Sequence, residues 1–249
     1  MYRKFLIILI CLLSFECSKK EIEVVQPSEK DKALKIYAEG VKALNERDFF
    51  YASTKFSEAE LILPTIEASA KSSLLASYCL YTINFYDEAL ENLERFVTKY
   101  RADKNLSYAH YLIALSYYEQ ILDEKKDLDP LIITKEKIQF FLEKFPDTEY
   151  ALDLKFKLDL VNNQLAAKEM YIAKYYITTQ KWIPAINRLK VIVEDYSETV
   201  FIEEALHRLV EVYYTLGLEK EAKKYANLLG YNYQSSIWYE KTYIIFDKK

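Results

Sequence analysis

Side chains that could act as nucleophiles, acids or metal ligands are few in this chain, and their spacing assembles nothing. His110 and His207 are the only histidines among 249 residues. Neither has a cysteine or second histidine at the spacing of a zinc site. Glu203 and Glu204 are adjacent, so on a helix their carboxylates diverge instead of sharing a proton. There is no Gly-x-Ser-x-Gly turn and no papain-like setting for a cysteine. Three glycines leave no phosphate-binding loop. The expectation is a protein that is not an enzyme and needs no cofactor or metal.

One residue does sit in a context that implies covalent chemistry. Arg3 and Lys4 precede an apolar run from Phe5 to Phe15, the pattern of a signal peptide and shorter than the ~20 residues of a membrane span. Glu16 and then Cys17 follow, before Ser18, Lys19 and Lys20. A cysteine at this junction resembles the first residue of a bacterial lipoprotein, whose thiol takes a diacylglycerol. The reading is a signal peptide over 1–16, lipidation at Cys17, and a polar tether over 17–30. An ordinary signal peptide or an uncleaved apolar anchor are the alternatives. Cys11 lies inside the apolar run, and Cys79 reads as a small buried hydrophobe within a helix.

The elements that would position any site follow from a repeat. Gly40, Ala52, Phe56, Ala59 and Pro64 fall at the spacings of a tetratricopeptide repeat. Small residues allow two antiparallel helices to cross closely, an aromatic fills the groove between them, and proline ends the second helix. Variants of this hairpin recur near 31–64, 67–100, 106–145, 150–192 and 201–229. An acidic, lysine-rich insertion at Asp123 to Pro130 interrupts the third. The fourth opens with one helix to Thr178, or with two that break near Asn162 and Asn163. The aromatic tail from Gly230 to Phe246 suits a helix covering the last groove. The fold is therefore all-α, a tetratricopeptide-repeat superhelix of about five hairpins and a capping helix, with N-terminal repeats over 31–149 and C-terminal repeats and cap over 150–249. The 51% apolar fraction supplies a continuous core, and the net charge of −4 weighs against a nucleic-acid partner.

Such a solenoid presents extended surfaces to proteins. Most of the 23 tyrosines are expected in the core, but Tyr78 and Tyr81 lie on a first helix, the type that lines the concave face, where rings can grip extended peptide. Arg188, following Asn187 on the second helix of repeat four and near Trp182, is the other candidate anchor.

At these residues the chain resembles the BamD/ComL family, lipoproteins of the β-barrel assembly machinery. Tyr171-Ile-Ala-Lys-Tyr-Tyr176 with Trp182-Ile-Pro-Ala-Ile-Asn-Arg188 is similar to the family's V-A-x-Y-Y…W-x-x-A-x-N-R. The Glu204-Ala-Leu segment and Tyr213-Tyr-Thr-Leu-Gly-Leu218 are similar to its E-A-L…A-Y-x-x-L-G-L, and Ser236-Ile-Trp-Tyr239 to an ending found in alphaproteobacterial members. Arg95-Phe96, Tyr108-Ala109 and Asp129-Pro130 match further family positions. The resemblance implies a lipid-anchored scaffold on the periplasmic face of the outer membrane, in the Bam complex with other Bam lipoproteins. It implies that Arg188, supported by Asn187 and Trp182, meets the POTRA domains of BamA. It also implies that Tyr78 faces unfolded outer-membrane β-barrel proteins, and Tyr81 stands beside it as a candidate from its helix position. A soluble periplasmic repeat adaptor for cell-envelope proteins, or a docking partner for a hydrolase, are the competing readings.

Overall fold

The computed structural model describes residues 28–121 and 128–247. Cys17, the signal segment and the tether up to residue 27 lie outside those residues, as do 122–127 of the insertion.

The described residues form five helical hairpins and a final helix. They are α1 (Glu29–Asn45) with α2 (Phe49–Ile62), α3 (Ile66–Thr82) with α4 (Tyr86–Lys99), and α5 (Leu106–Glu119) with α6 (Asp129–Lys144). Then come α7 (Ala151–Thr178) with α8 (Trp182–Asp195), α9 (Ile202–Thr215) with α10 (Glu219–Asn232), and α11 (Ile237–Asp247). Each helix packs on its chain neighbours, as a superhelix requires.

The repeat spacing acts through close contact. Ala52, Phe56 and Ala59 are fully buried. A Cβ on Gly40 would stand 3.0 Å from the Phe56 ring, so the small residue lets α1 settle onto the aromatic face. Cys79 is buried in the same cluster, as expected, and burial pushes its thiol up to about 11. The entries of α2 and α3 are capped by side chains. Asp48 accepts from the Tyr51 N–H and Thr65 from the Ala68 N–H, pairing donors that a first turn leaves open.

Four of the five hairpin turns share one device. Asp48, Phe85, Lys181 and Leu218 donate backbone N–H to the carbonyls of Ala43, Leu80, Tyr176 and Tyr213. The residue before each donor is left-handed: Arg47 at φ 62°, Asn84 at 64°, Gln180 at 56° and Gly217 at 74°. This is the Schellman ending of a helix, and only the last turn places glycine there.

Two boundaries differ from the sequence expectation. Pro130 does not end the insertion but sits in the first turn of α6, where its missing N–H costs nothing. α10 runs through Gly230 to Asn232. That glycine accommodates the capping helix, since a Cβ on it would lie 2.8 Å from the Tyr239 ring. Of the two readings of the fourth repeat, the single helix to Thr178 holds, and Asn162 and Asn163 do not break α7. Asn163 turns its amide onto its own helix, donating to the Asp159 carbonyl at 2.8 Å, and accepts from Val200 N–H at 3.2 Å.

α7 has no single buried stripe. Ala151 and Leu154 pack with Ile138 and Phe141 of α6. Val161 and Leu165 pack with Leu131 and Tyr196. Ala166, Met170 and Ala173 enter the C-terminal core with Leu189 and Leu206. The buried face rotates along the helix, so one shaft belongs to two repeats. α11 then closes the C-terminal core against α9 and α10.

Candidate functional site

A concavity lies between the starts of α3 and α5. It encloses about 960 Å³, and its lining includes Lys71, Leu74, Leu75, Tyr78, Lys104 and Tyr108. Thr65 at its edge caps α3, and short turns at 63–65 and 100–105 hold the two helix starts apart. The floor is apolar and aromatic, and Lys71, Lys104, Glu67 and Asp103 ring it. Tyr108 is desolvated enough that burial holds its phenol up to about 12. The surface can receive an apolar or aromatic side chain and leave a charged group at the rim.

Tyr78 and Tyr81 part company here. Tyr78 is half-buried and lines the groove. Tyr81 packs between the clusters of repeats two and three, its ring 5.8 Å from that of Tyr86. Burial, with Glu119 nearby, raises its phenol to about 12.

On α8, Trp182, Asn187 and Arg188 share a helix but not a face. Trp182 packs against the C-terminal core, and Asn187 is exposed. Arg188 is engaged within the chain: its Nη1 donates to both carboxylate oxygens of Glu169 on α7, each at 3.1 Å. The Glu169 side chain is only 12% exposed, against 44% for Arg188. The guanidinium is thus oriented from behind while much of it faces solvent. The spacing within α8 carries no sign of Glu169, because the pair crosses from one helix to another.

Two polar clusters also went unread in the sequence. Glu60 is buried on α2, and its Oε1 accepts from Arg95 Nη1 at 2.7 Å, Lys99 Nζ at 3.0 Å and the Tyr100 hydroxyl at 2.8 Å. Burial alone would raise this carboxyl, but the three donors outweigh it and hold it near 2. At the other end, buried His207 shares a 2.7 Å hydrogen bond between Nδ1 and the Thr242 hydroxyl of α11, with the Trp238 ring 5.2 Å away. The hydrogen bond from His207, with Arg208 assisting against burial, lowers Glu211 to about 2. Both clusters join helices. His110 packs against Phe140 and Phe145.

A helical-repeat scaffold with an apolar concave groove belongs to the class of proteins that hold other proteins. The profile of the YfiO family, outer membrane lipoproteins, matches residues 29–228, and the chain belongs to that family. It is 38% identical over 208 residues to the outer membrane protein assembly factor BamD of Rickettsia prowazekii (strain Madrid E), covering 84% of this chain and 83% of that protein. To BamD of Caulobacter vibrioides it is 37% identical over 208 residues, covering 84% and 68%. To BamD of Neisseria meningitidis (strain Z2491) it is 30% identical over 213 residues, covering 81% and 79%.

Proposed function

We propose that the chain is a lipid-anchored scaffold at the periplasmic face of the outer membrane, serving the assembly of β-barrel proteins within the Bam complex. The observation that carries this reading is family membership across residues 29–228, most of the five-hairpin solenoid. Cys17 takes the lipid. The C-terminal repeats hold the POTRA domains of BamA through Arg188, with Asn187 and Trp182 on the same helix. The N-terminal groove receives segments of unfolded barrel proteins at Tyr78, with Tyr81 behind it.

The Arg188–Glu169 pair supports the first contact. A guanidinium fixed through one nitrogen keeps its remaining donors aligned for a partner carboxylate, so less entropy is lost on binding. Arg188→Ala should weaken co-purification with the POTRA domains, and truncating such a contact costs about 2–5 kcal/mol when it is buried in the complex. Glu169→Gln, which spares the guanidinium, should largely retain the partner. Helicity by circular dichroism should be unchanged in both. Retention of the POTRA domains by Arg188→Ala at wild-type levels would refute the assigned contact. No retention by the wild type would return the chain to a soluble adaptor of envelope proteins.

A further inference from the structure

We propose that the outer face of the first half of α7, with the acidic pocket beside it, docks a basic amphipathic helix of a protein partner. Leu152, Phe156 and Leu160 recur at every fourth residue, which sets them in one row about 6 Å apart. They are 79%, 62% and 38% exposed. Val200, 80% exposed, is held next to this row because its N–H donates to Asn163. Large apolar side chains grouped in this way mark an interaction surface and not a solvated face. Their spacing makes a ridge of the kind that enters the groove of a second helix, whereas an extended strand presents a different period.

The pocket decides the charge of that helix. Asp159, Asn162, Asp195 and Glu198 are among the residues lining about 130 Å³ beside the row. Asp159 lies between Phe156 and Leu160 in the chain, so the pocket adjoins the apolar ridge. The Asn162 Oδ1 is buried without a hydrogen-bond donor. Lys135 lies over the Tyr196 ring at 4.5 Å and feels Asp195. Asp159 and Glu198 have no ion pair among the described residues, and Lys155, one turn earlier, does not supply one. The carboxylates of Asp159, Asp195 and Glu198 accept hydrogen bonds and repel anions. A lysine or arginine supplies only donors and matches them. The surface stands apart from the groove at Tyr78 and from Arg188 on α8, so it adds a third contact whether or not the other two are used.

The test uses the full chain in lipid nanodiscs, with empty nanodiscs as the blank, and three fluorescent peptides about 15 residues long. The first is a helix with leucine and phenylalanine at every fourth position and arginine along one flank. The second carries glutamate in place of arginine, and the third scrambles the first. Fluorescence anisotropy should show the arginine helix binding about tenfold more tightly than either control. Phe156→Ala, and separately the pair Asp159→Asn with Glu198→Gln, should each weaken it about fivefold or more, and Arg188→Ala should leave it unchanged. Absence of binding, equal binding of the arginine and glutamate helices, or insensitivity to these substitutions overturns the proposal. Equal binding of the scrambled peptide overturns it too, by assigning the surface to extended segments.

Discussion

Glu60 shows what a single buried carboxylate does between two repeats. It lies on α2, and its three donors come from the end of α4 and the residue after it. Its carboxyl is held near 2, against an ordinary value of 4.5. A group depressed in the folded state contributes its full stabilisation above its unfolded value and loses it as the pH falls toward the folded one. The chain should therefore weaken between pH 4.5 and about 2 through this residue. Glu60→Gln should cost about 1.5–3 kcal/mol at neutral pH, the worth of a hydrogen bond to a charged group, and should flatten that acid limb. Urea unfolding followed by circular dichroism across the acid range measures both effects. Neither this hub nor the Arg188–Glu169 pair was legible in the sequence, because charges that meet across helices leave no periodic trace. What was legible at this scale was steric. Gly40, Ala52, Phe56 and Ala59 occupy the packed positions that their sizes required.

Elements were read most accurately where their ends carry a chemical signal. Pro64 follows the end of α2, and Gly217 marks the turn after α9. The other three Schellman turns were harder to assign because Arg47, Asn84 and Gln180 adopt a left-handed backbone that side chains ordinarily avoid. Packing of the paired helices holds them there. Glycine at 217 relieves that strain, so Gly217→Ala should cost about 1–2 kcal/mol, and Gln180→Gly should be neutral or slightly stabilising. Chemical denaturation of the two variants compares them directly. Asn162 and Asn163, a pair of poor helix formers, left a break open as the alternative to the single helix that forms. Asn163 instead turns its amide to the helix and to Val200, a tertiary use that local propensity does not encode.

On the scale of the whole molecule, α7 decides how the two ends are related. Its 28 residues span about 42 Å, and it contributes to the packing of α6 at one end and of α8 and α9 at the other. Proline within it removes a hydrogen bond and clashes with the preceding turn, at about 3 kcal/mol or more. Ala167→Pro should therefore lower stability by that order. In solution scattering it should also broaden the distribution of end-to-end distances, while the helices on either side persist in circular dichroism. The repeat count and the capping helix followed from the sequence. The rotation of the buried face along α7 did not, because a face that serves two neighbours in turn averages to no stripe at all. The sharing of that helix also limits how such a chain can be rebuilt. Repeat proteins ordinarily gain, lose and exchange whole hairpins as interchangeable parts. Here a cut on either side of α7 would strip a wall from the neighbouring core, so deletion or swapping with a relative should be tolerated at the outer hairpins and not in the middle, which must move as one piece.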